Sequence, residues 1–278
     1  AILSLLLYIF TKISVALYAG AVVLHEVLGW EMYTSAVGLV VATGVYTLGG
    51  GLLVVIYTEV LQCLILIGGG FGLLAVGLDK VGGLNELMSD LPSPMTHLFT
   101  SSGSFPWSGV IFGLPFTSIY YWCTDQMIVQ RALSAKNLEH GRGGTVAASY
   151  LKILPMFLLV VPGMIARRLF PAEMEKDNNT AFPKLVVELL PTPLLGVMVA
   201  AMLAALMSSL ASVFNSGSTI FAMDLWRRIR PSSSDKELVV VGKMAVAALT
   251  GASLLWIPVI PHMSKELYVY THKMMAYV

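Results

Sequence analysis

The feature of this sequence that most constrains its fold is a run of 35 residues without one formal charge, Leu189–Met223. A transmembrane helix needs only about 20 apolar residues. The middle of the run nevertheless holds six small polar residues: Ser208, Ser209, Ser212, Asn215, Ser216 and Ser218. Hydroxyls and amides at bilayer depth have no water to bind, so they pair with other helices, with backbone or with a bound solute. The run therefore indicates a membrane helix whose polar positions do more than span the bilayer.

The rest of the chain repeats this pattern. Of 278 residues, 56% are hydrophobic and only 12% are charged, about half the charge of a typical soluble domain. Further uncharged runs cover 32–58, 60–78, 98–124 and 244–261, and two more, 1–24 and 143–166, are interrupted only by Lys12 and Lys152. The segment 265–278 is interpreted as the start of an eighth helix. The sequence predicts an all-α, integral, multi-pass membrane protein with seven full crossings.

Both ends of the chain fall inside predicted helices, which predicts that residues 1–278 are a single transmembrane domain and a fragment of a longer protein. Cys63 and Cys123 lie inside predicted spans, so a disulfide framework is not indicated. The sequence has no basic patch with interleaved aromatic residues, so nucleic acid is not an expected partner. The expected surrounding is a lipid bilayer.

Loop charges predict the orientation of the helices. The loop after the predicted 108–130 helix and the 227–243 loop are strongly basic, and such loops face the cytoplasm. The outer loops are acidic or mixed in charge. One of them contains Asn178-Asn179-Thr180, an N-glycosylation pattern that predicts a glycoprotein and agrees with the loop charges.

Glycine and proline predict breaks inside the membrane. The run Gly49-Gly50-Gly51 indicates a tight inner turn between the second and third helices, which leaves Glu59 inside the third. Pro115 predicts a kink in the 108–130 helix just before a polar cluster, because proline frees a carbonyl one turn earlier. Broken helices of this kind line midplane solute sites in membrane carriers. The alternative is a kinked packing helix with interfacial aromatic residues.

Tyr121, Trp122 and Lys152 are candidate solute-binding residues. Flat aromatic faces can cover the apolar side of a sugar ring, although aromatic pairs also form interfacial belts. Lys152 lies near the tenth position of the apolar span 143–166. A charge at such depth costs at least about 2.5 kcal/mol and normally faces a cavity or a partner. The structural alternative pairs this lysine with Asp125 or with a backbone carbonyl.

Ser208 and Ser209 are candidate cation ligands. Their hydroxyl oxygens, together with the carbonyl of Ala205 one turn before Ser208, suit a small hard cation such as Na⁺. The alternative role is small-residue packing between helices. The sequence contains no nucleophile–base set and no metal-ligand spacing, so an enzyme is not indicated and no organic cofactor is expected.

Several motifs resemble the sodium/glucose cotransporter family. Residues 121–131 are YWCTDQMIVQR, which is very similar to the YWCTDQ-IVQR stretch of that family. Residues 204–216, AALMSSLASVFNS, resemble its eighth core helix, and Thr11-Lys12-Ile13-Ser14 and Ser149-Tyr150-Leu151-Lys152 resemble two others. The resemblance covers essentially the whole chain.

The resemblance implies a LeuT-like inverted-repeat fold, present here from about core helix three to the start of helix ten. It also implies plasma-membrane symport of a glucose-like sugar or related polyol by alternating access, with Na⁺ as the coupling ion. In that family Tyr121 would be an inner gate against the sugar ring. The implied sugar-site residues are Ser118, Tyr121, Trp122, Lys152 and His272, and the implied sodium ligands are Ala205, Ser208 and Ser209.

Two positions depart from the family pattern. The family usually has an aspartate linked to cation handling where this chain has Ala16, and a sugar-contacting glutamine where it has His272. These differences keep two alternatives open. One is a sodium-dependent sugar sensor with little transport, and the other is a symporter for inositol or another small solute.

Overall fold

The protein is helical throughout the part that the structure describes. The computed structural model describes residues 2–97, 100–101 and 106–257. These residues form helices joined by short turns, with no strand among them, so the predicted all-α class is confirmed. Within them, five stretches are long and apolar enough to cross a bilayer: Met32–Gly49, Ile56–Lys80, Leu138–Leu169, Thr192–Ile229 and Asp235–Leu255.

Two of the seven predicted crossings differ from these five stretches. The predicted span 1–24 is helical without a gap over residues 2–28, in three successive segments: Ile2–Leu7, the π-helical Tyr8–Ile13 and Ser14–Leu28. The predicted span 98–124 lies partly outside the described residues, and its described part is broken into short helices. Hydrophobicity alone does not distinguish one long helix from consecutive short ones, because both bury the same apolar side chains.

The chain divides into two compact units. The first unit contains described residues 2–65 and 199–257, and the second contains Leu66–Met198. The first unit contains the α-helices Ile2–Leu7, Ser14–Leu28, Arg227–Ile229 and Asp235–Trp256 and the π-helices Tyr8–Ile13 and Ile220–Trp226. The long helices Met32–Lys80 and Thr192–Thr219 each have residues in both units. The second unit contains α-helices Leu84–Asp90, Ser93–Thr96, Trp107–Phe112, Leu114–Ile119, Gln126–Leu133, Leu138–Leu151, Val161–Leu169, Pro171–Lys176 and Ala181–Leu189, π-helices Tyr120–Thr124 and Met156–Val160, and the 3₁₀ turn Asn178–Thr180. That residues 1–278 form one transmembrane domain stays a prediction.

The long helix Met32–Lys80 bends sharply within the first unit. Helical backbone runs without interruption through its 49 residues. The Tyr46 hydroxyl nevertheless lies 2.9 Å from Thr58 Oγ1, 12 residues along the chain. In a straight helix these positions would be about 18 Å apart. The helix axis must therefore bend sharply between them, which is where Gly49-Gly50-Gly51 predicts a turn.

Helices of the first unit approach one another closely at glycines. A Cβ atom on Gly44 would lie 2.9 Å from Cγ2 of Thr250, and one on Gly217 would lie 2.7 Å from Cδ1 of Leu249. Small residues permit such contact between helices in a bilayer. The two contacts hold the Asp235–Trp256 helix against both helices that carry these glycines.

Gly44→Ala is expected to lower the thermal stability of the full-length protein in detergent. The Thr250 side chain is branched at Cβ, and its hydroxyl donates to the Val246 carbonyl at 2.9 Å, so it cannot turn away freely. Overpacking of this kind costs about 1–3 kcal/mol, more than the roughly 0.5–1 kcal/mol gained by replacing glycine in a helix. Gly38→Ala is the control, because a Cβ there meets only Trp30 at 3.9 Å. A melting temperature unchanged in Gly44→Ala would contradict the prediction.

The second unit packs around the later part of the Ile56–Lys80 span. A Cβ atom on Gly77 would lie 3.0 Å from Cδ1 of Ile165, and one on Gly70 would lie 3.2 Å from Cδ2 of Leu158. Arg168, one turn beyond this contact, forms an ion pair with Asp90. Together these contacts position the broken helical segment that contains Lys152.

Candidate functional site

The segment that contains Tyr121 and Trp122 is a chain of short helices in the second unit. One helix ends at Phe112, and the next, Leu114–Ile119, carries Pro115 in its first turn, where a missing N–H costs nothing. The π-helical Tyr120–Thr124 then ends at Asp125. The predicted single 108–130 helix is therefore wrong, whereas the predicted break near Pro115 is confirmed.

Asp125 separates the π-helical segment from the helix Gln126–Leu133. Its backbone is extended, and its side chain, which is 2% exposed, accepts a hydrogen bond from the Met127 N–H at 3.0 Å. An aspartate that caps a helix in this way satisfies one of the donors left open at the helix N-terminus. The carboxylate considered from the sequence as a partner of Lys152 thus has a capping role.

Tyr121, Trp122 and Lys152 come together on the second unit. The rings of Tyr121 and Trp122 are perpendicular, with centroids 5.3 Å apart. The Lys152 Nζ lies 5.4 Å from the Trp122 ring centroid, a cation–π contact. The Trp122 side chain is 42% exposed and Lys152 is also exposed, while Tyr121 is half-buried. An indole face and an ammonium group are therefore presented together on one surface.

Lys152 occupies a break in its own helix. The helix Leu138–Leu151 ends there, with the Lys152 N–H still bonded to the Ala148 carbonyl, and the π-helical Met156–Val160 follows after a turn. The interruption falls within the Leu138–Leu169 stretch.

The two other predicted sugar-site residues are Ser118 and His272. Ser118 lies about one turn before Trp122 and is exposed. His272, the remaining predicted sugar-site residue, lies outside the described residues.

The predicted sodium ligands lie on the helix Thr192–Thr219 in the first unit. Ser208 is 2% exposed, and its Oγ donates a hydrogen bond to Glu59 Oε1 at 2.7 Å. Ala205 is half-buried. Ser209 is exposed, because adjacent helical residues point about 100° apart. The structure thus turns the two predicted hydroxyl ligands in different directions.

Glu59 and Ser212 are polar partners of this site that the sequence reasoning did not assign. The Ser212 Oγ lies 3.1 Å from Glu59 Oε1 and 2.7 Å from the Ser208 carbonyl oxygen, and Ser212 is fully buried. Two signals in the sequence could have indicated them. Glu59 is the single acid between the uncharged runs 32–58 and 60–78, and Ser212 follows Ser208 by one helical turn.

A cavity of about 480 Å³ lies in the first unit beyond these serines. Its lining includes Thr47, Asn215, Ser218, Thr219 and Lys243. The Asn215 Nδ2 is buried and has no hydrogen-bond partner among the described residues. Lys243 lies on the helix Asp235–Trp256 and ends the basic segment 227–243, so the cavity lies toward the side predicted to face the cytoplasm.

Ala16, where the resemblance leads one to expect an aspartate, is buried in the helix Ser14–Leu28. One turn later in the same helix, a Cβ on Gly20 would meet Leu39 of the helix Met32–Lys80 first and would lie 3.7 Å from Cδ1 of Leu206. This part of the helix therefore packs against Met32–Lys80 and near the helix that carries Ser208, and Ala16 contributes only a methyl group there.

Comparison with solved structures defines the class of the fold. The structure of a Na⁺-coupled sialic acid symporter in its substrate-bound, outward-open state matches this fold with a TM-score of 0.80. The match has 23% sequence identity and covers 94% of this chain and 58% of that chain. At this identity the likeness shows the fold alone. The predicted LeuT-like membrane fold, present in part, is confirmed.

Sequence comparison defines the family. The model of the sodium:solute symporter family matches residues 1–278. The chain belongs to the sodium:solute symporter family. The resemblance to the sodium/glucose cotransporter family that the motifs predicted is confirmed. Membership of a family of transporters gives no support for an enzymatic function.

The relatives found include cotransporters with three different solutes in their names. Sodium/myo-inositol cotransporter 2 of Oryctolagus cuniculus is 45% identical over 313 residues, covering 100% of this chain and 46% of the relative. The sodium/mannose cotransporter SLC5A10 of Bos taurus is 46% identical, covering 94% of this chain and 49% of the relative. Sodium/glucose cotransporter 4 of Danio rerio is also 46% identical, covering 94% and 45%. The chain thus spans about half the length of these relatives.

Proposed function

We propose that the full-length protein containing this chain is a plasma-membrane symporter that couples Na⁺ entry to uptake of a sugar or a cyclic polyol. The observation that carries the proposal is the alignment of nearly all of this chain with three sodium-coupled cotransporters. Their named solutes are myo-inositol, mannose and glucose, all of which are polyhydroxylated six-carbon compounds. The substrate class proposed here is therefore a hexose or an inositol, with Na⁺ as the coupling ion and no organic cofactor.

The exposed cluster of Trp122 and Lys152 supports the assignment of a solute site. An indole face covers the apolar face of a sugar ring, and an ammonium group donates hydrogen bonds to its hydroxyls. Ser118 and His272 belong to the same proposed set, and Tyr121, held edge to face against Trp122, would close against the ring. These assignments rest on chemistry and on the family resemblance.

The proposed sodium ligands are the Ala205 carbonyl and the hydroxyls of Ser208 and Ser209. Oxygen donors of this kind suit hard cations, and their placement on a long polar-centred helix is typical of carriers. The cavity next to Asn215 would receive the ion on the cytoplasmic side.

We also propose that residues 1–278 belong to one transmembrane domain of a longer transporter. That transporter would be glycosylated at Asn178 in an outer loop.

Uptake by the full-length protein in proteoliposomes tests the proposal. Labelled glucose and labelled myo-inositol are each supplied with an inward Na⁺ gradient, or with K⁺ replacing Na⁺. We expect transient accumulation above equilibrium only with Na⁺, because ion and solute must favour the same conformational states. Solute binding without accumulation under any gradient would overturn symport and favour the sensor alternative, which the relatives found do not support.

A further inference from the structure

Lys243 is a cation inside a membrane span that has no acidic partner among the described residues. It lies eight residues after Asp235, where the Asp235–Leu255 stretch begins, and therefore about 12 Å along the helix. It is exposed, and it forms no hydrogen bond or ion pair in the described part of the chain. An ionisable residue inside a membrane span is costly and normally has a partner. A partner from outside the described residues is therefore expected.

The cavity that Lys243 lines contains a second free donor, the side-chain amide of Asn215. The Asn215 Nδ2 is buried and bonds to no described residue, which is costly for an amide. Thr47, Ser218 and Thr219 also line the cavity, but their hydroxyls donate to backbone carbonyls at 2.8, 2.9 and 2.9 Å. Each hydroxyl has a single proton. An ammonium and an amide are thus the donors left for a ligand, and together they suit an anionic group rich in oxygen.

The border of the same cavity is apolar. Leu48, Met223 and Val239 line it, and all three side chains are exposed. Exposed apolar side chains on membrane-spanning helices contact lipid tails, which are as apolar as leucine. The cavity therefore joins nitrogen donors to an apolar surface, and a phospholipid has the matching anionic headgroup and apolar tails.

The charge around the cavity favours an anionic lipid. The segment 227–243 has five basic residues and two acidic ones. Of the basic residues, Arg227, Arg228 and Lys236 are exposed and, like Lys243, form no ion pair with a described residue. The segment lies on the side predicted to face the cytoplasm, where the membrane leaflet carries anionic lipids. Basic pockets between membrane helices on that side bind such headgroups.

The depth of Lys243 also fits a headgroup. A helical side chain leans toward the helix N-terminus, which in Asp235–Trp256 is the end that follows the basic residues 227–230. A lysine can bury its apolar stem and extend its ammonium to the membrane interface. Its charge is therefore available at the level of the lipid phosphates.

We propose that this cavity binds one anionic phospholipid of the cytoplasmic leaflet, whose phosphate accepts hydrogen bonds from the Lys243 ammonium and the Asn215 amide. The acyl chains lie along the exposed apolar border. The inference goes beyond the proposed function and does not depend on which solute is carried. The bound headgroup would also offset the charge of Lys243, which otherwise opposes the release of Na⁺ through the cavity.

Binding of dioctanoyl phosphatidylserine to the purified full-length protein in detergent tests the proposal. Native mass spectrometry measures the stoichiometry and the dissociation constant, with dioctanoyl phosphatidylcholine and inorganic phosphate as comparison ligands. We expect one tightly bound phosphatidylserine, with phosphatidylcholine at least about tenfold weaker, because it lacks a net negative charge. Equal affinity for the two lipids would overturn the proposal. Displacement of phosphatidylserine by an equal concentration of inorganic phosphate would overturn it in favour of a free phosphate site, and no lipid binding would indicate that another segment of the longer protein covers the cavity.

Variants locate the binding at the cavity. Lys243→Gln is expected to weaken phosphatidylserine binding at least about tenfold, as the loss of a charged hydrogen bond predicts. Asn215→Leu keeps a similar volume without the amide and should weaken it at least about threefold. The control is Lys136→Gln, which removes the same charge from an exposed lysine in the other predicted cytoplasmic loop and should bind within twofold of the wild type. Equal losses in Lys136→Gln and Lys243→Gln would overturn the proposal, because general surface charge would then explain the binding.

Two further comparisons keep the outcome decisive. If Lys243→Gln does not fold, Lys243→Arg and Asn215→Leu decide: the arginine variant should bind phosphatidylserine within about threefold of the wild type, and unchanged binding in Asn215→Leu would overturn the proposal. The measured quantity is lipid binding and not transport. A protein that binds phosphatidylserine in this way but accumulates no solute would overturn symport alone and would support the lipid site.

Discussion

Ser208→Ala is expected to raise the half-saturating Na⁺ concentration for solute uptake about tenfold to a hundredfold. The change removes a proposed ligand oxygen, and it also takes a donor from the Glu59 carboxylate at 2.7 Å. A hydrogen bond to a charged group contributes about 1.5–3 kcal/mol, and each 1.4 kcal/mol corresponds to about a factor of ten. The measurement is initial labelled-sugar uptake by proteoliposomes as a function of external Na⁺.

Ser253→Ala is the matched control for this prediction. Ser253 is also a fully buried serine on a helix of the first unit, but its hydroxyl donates to the Leu249 carbonyl at 2.7 Å. A general effect of removing a buried hydroxyl would appear equally in both variants. Ser209→Ala tests the second proposed ligand and is expected to weaken the Na⁺ dependence as well. If the half-saturating Na⁺ concentration is unchanged in Ser208→Ala, then Ser208 is not a ligand of the proposed sodium site.

Lys152→Ala is expected to raise the half-saturating concentration of sugar at least about tenfold at saturating Na⁺. The variant loses the donors proposed to bind the sugar hydroxyls and the cation–π contact that holds the ammonium 5.4 Å from the Trp122 ring centroid. Charged hydrogen bonds contribute about 1.5–3 kcal/mol, and a cation–π contact about 0.5–2 kcal/mol. Na⁺ half-saturation is expected to stay within about twofold, because the proposed sodium ligands lie on another helix.

Lys184→Ala is the control for Lys152, since Lys184 makes the same kind of contact without a proposed role in binding. Its Nζ lies 5.9 Å from the Phe170 ring centroid and 3.3 Å from Glu188 Oε1. Uptake by Lys184→Ala should have the wild-type sugar dependence. Lys152→Arg keeps the charge and the ring contact and should recover part of the affinity. Wild-type sugar affinity in Lys152→Ala would show that this lysine does not bind the sugar and has only a structural role.

The two breaks in the segment 107–133 show which helix ends can be predicted from local sequence and which cannot. Proline predicts an interruption because it lacks a backbone donor, and the structure has one two residues earlier, at Gly113. The second interruption, at Asp125, was not predicted. It depends on whether a side chain caps the next helix, as Asp125 does through Met127, and a sequence allows that bond without requiring it.

The positions of the candidate residues show the same limit. The sequence indicated Trp122 and Lys152 separately, each with a structural alternative. Their 5.4 Å contact joins two helical segments whose approach depends on how the helices of the second unit pack. Ser208 and Ser209 were equivalent as neighbouring hydroxyls. Only the surroundings of their helix distinguish a buried Ser208 from an exposed Ser209.

By itself, the sequence determined that this chain is a multi-pass helical membrane protein, because uncharged runs longer than about 20 residues are stable only as helices that satisfy their own backbone in a bilayer. Its motifs also determined the family. The tertiary structure alone decided that Glu59 is the partner of Ser208. These residues are 149 positions apart, and a carboxylate inside a membrane span finds its donors only when two distant helices pack at one register.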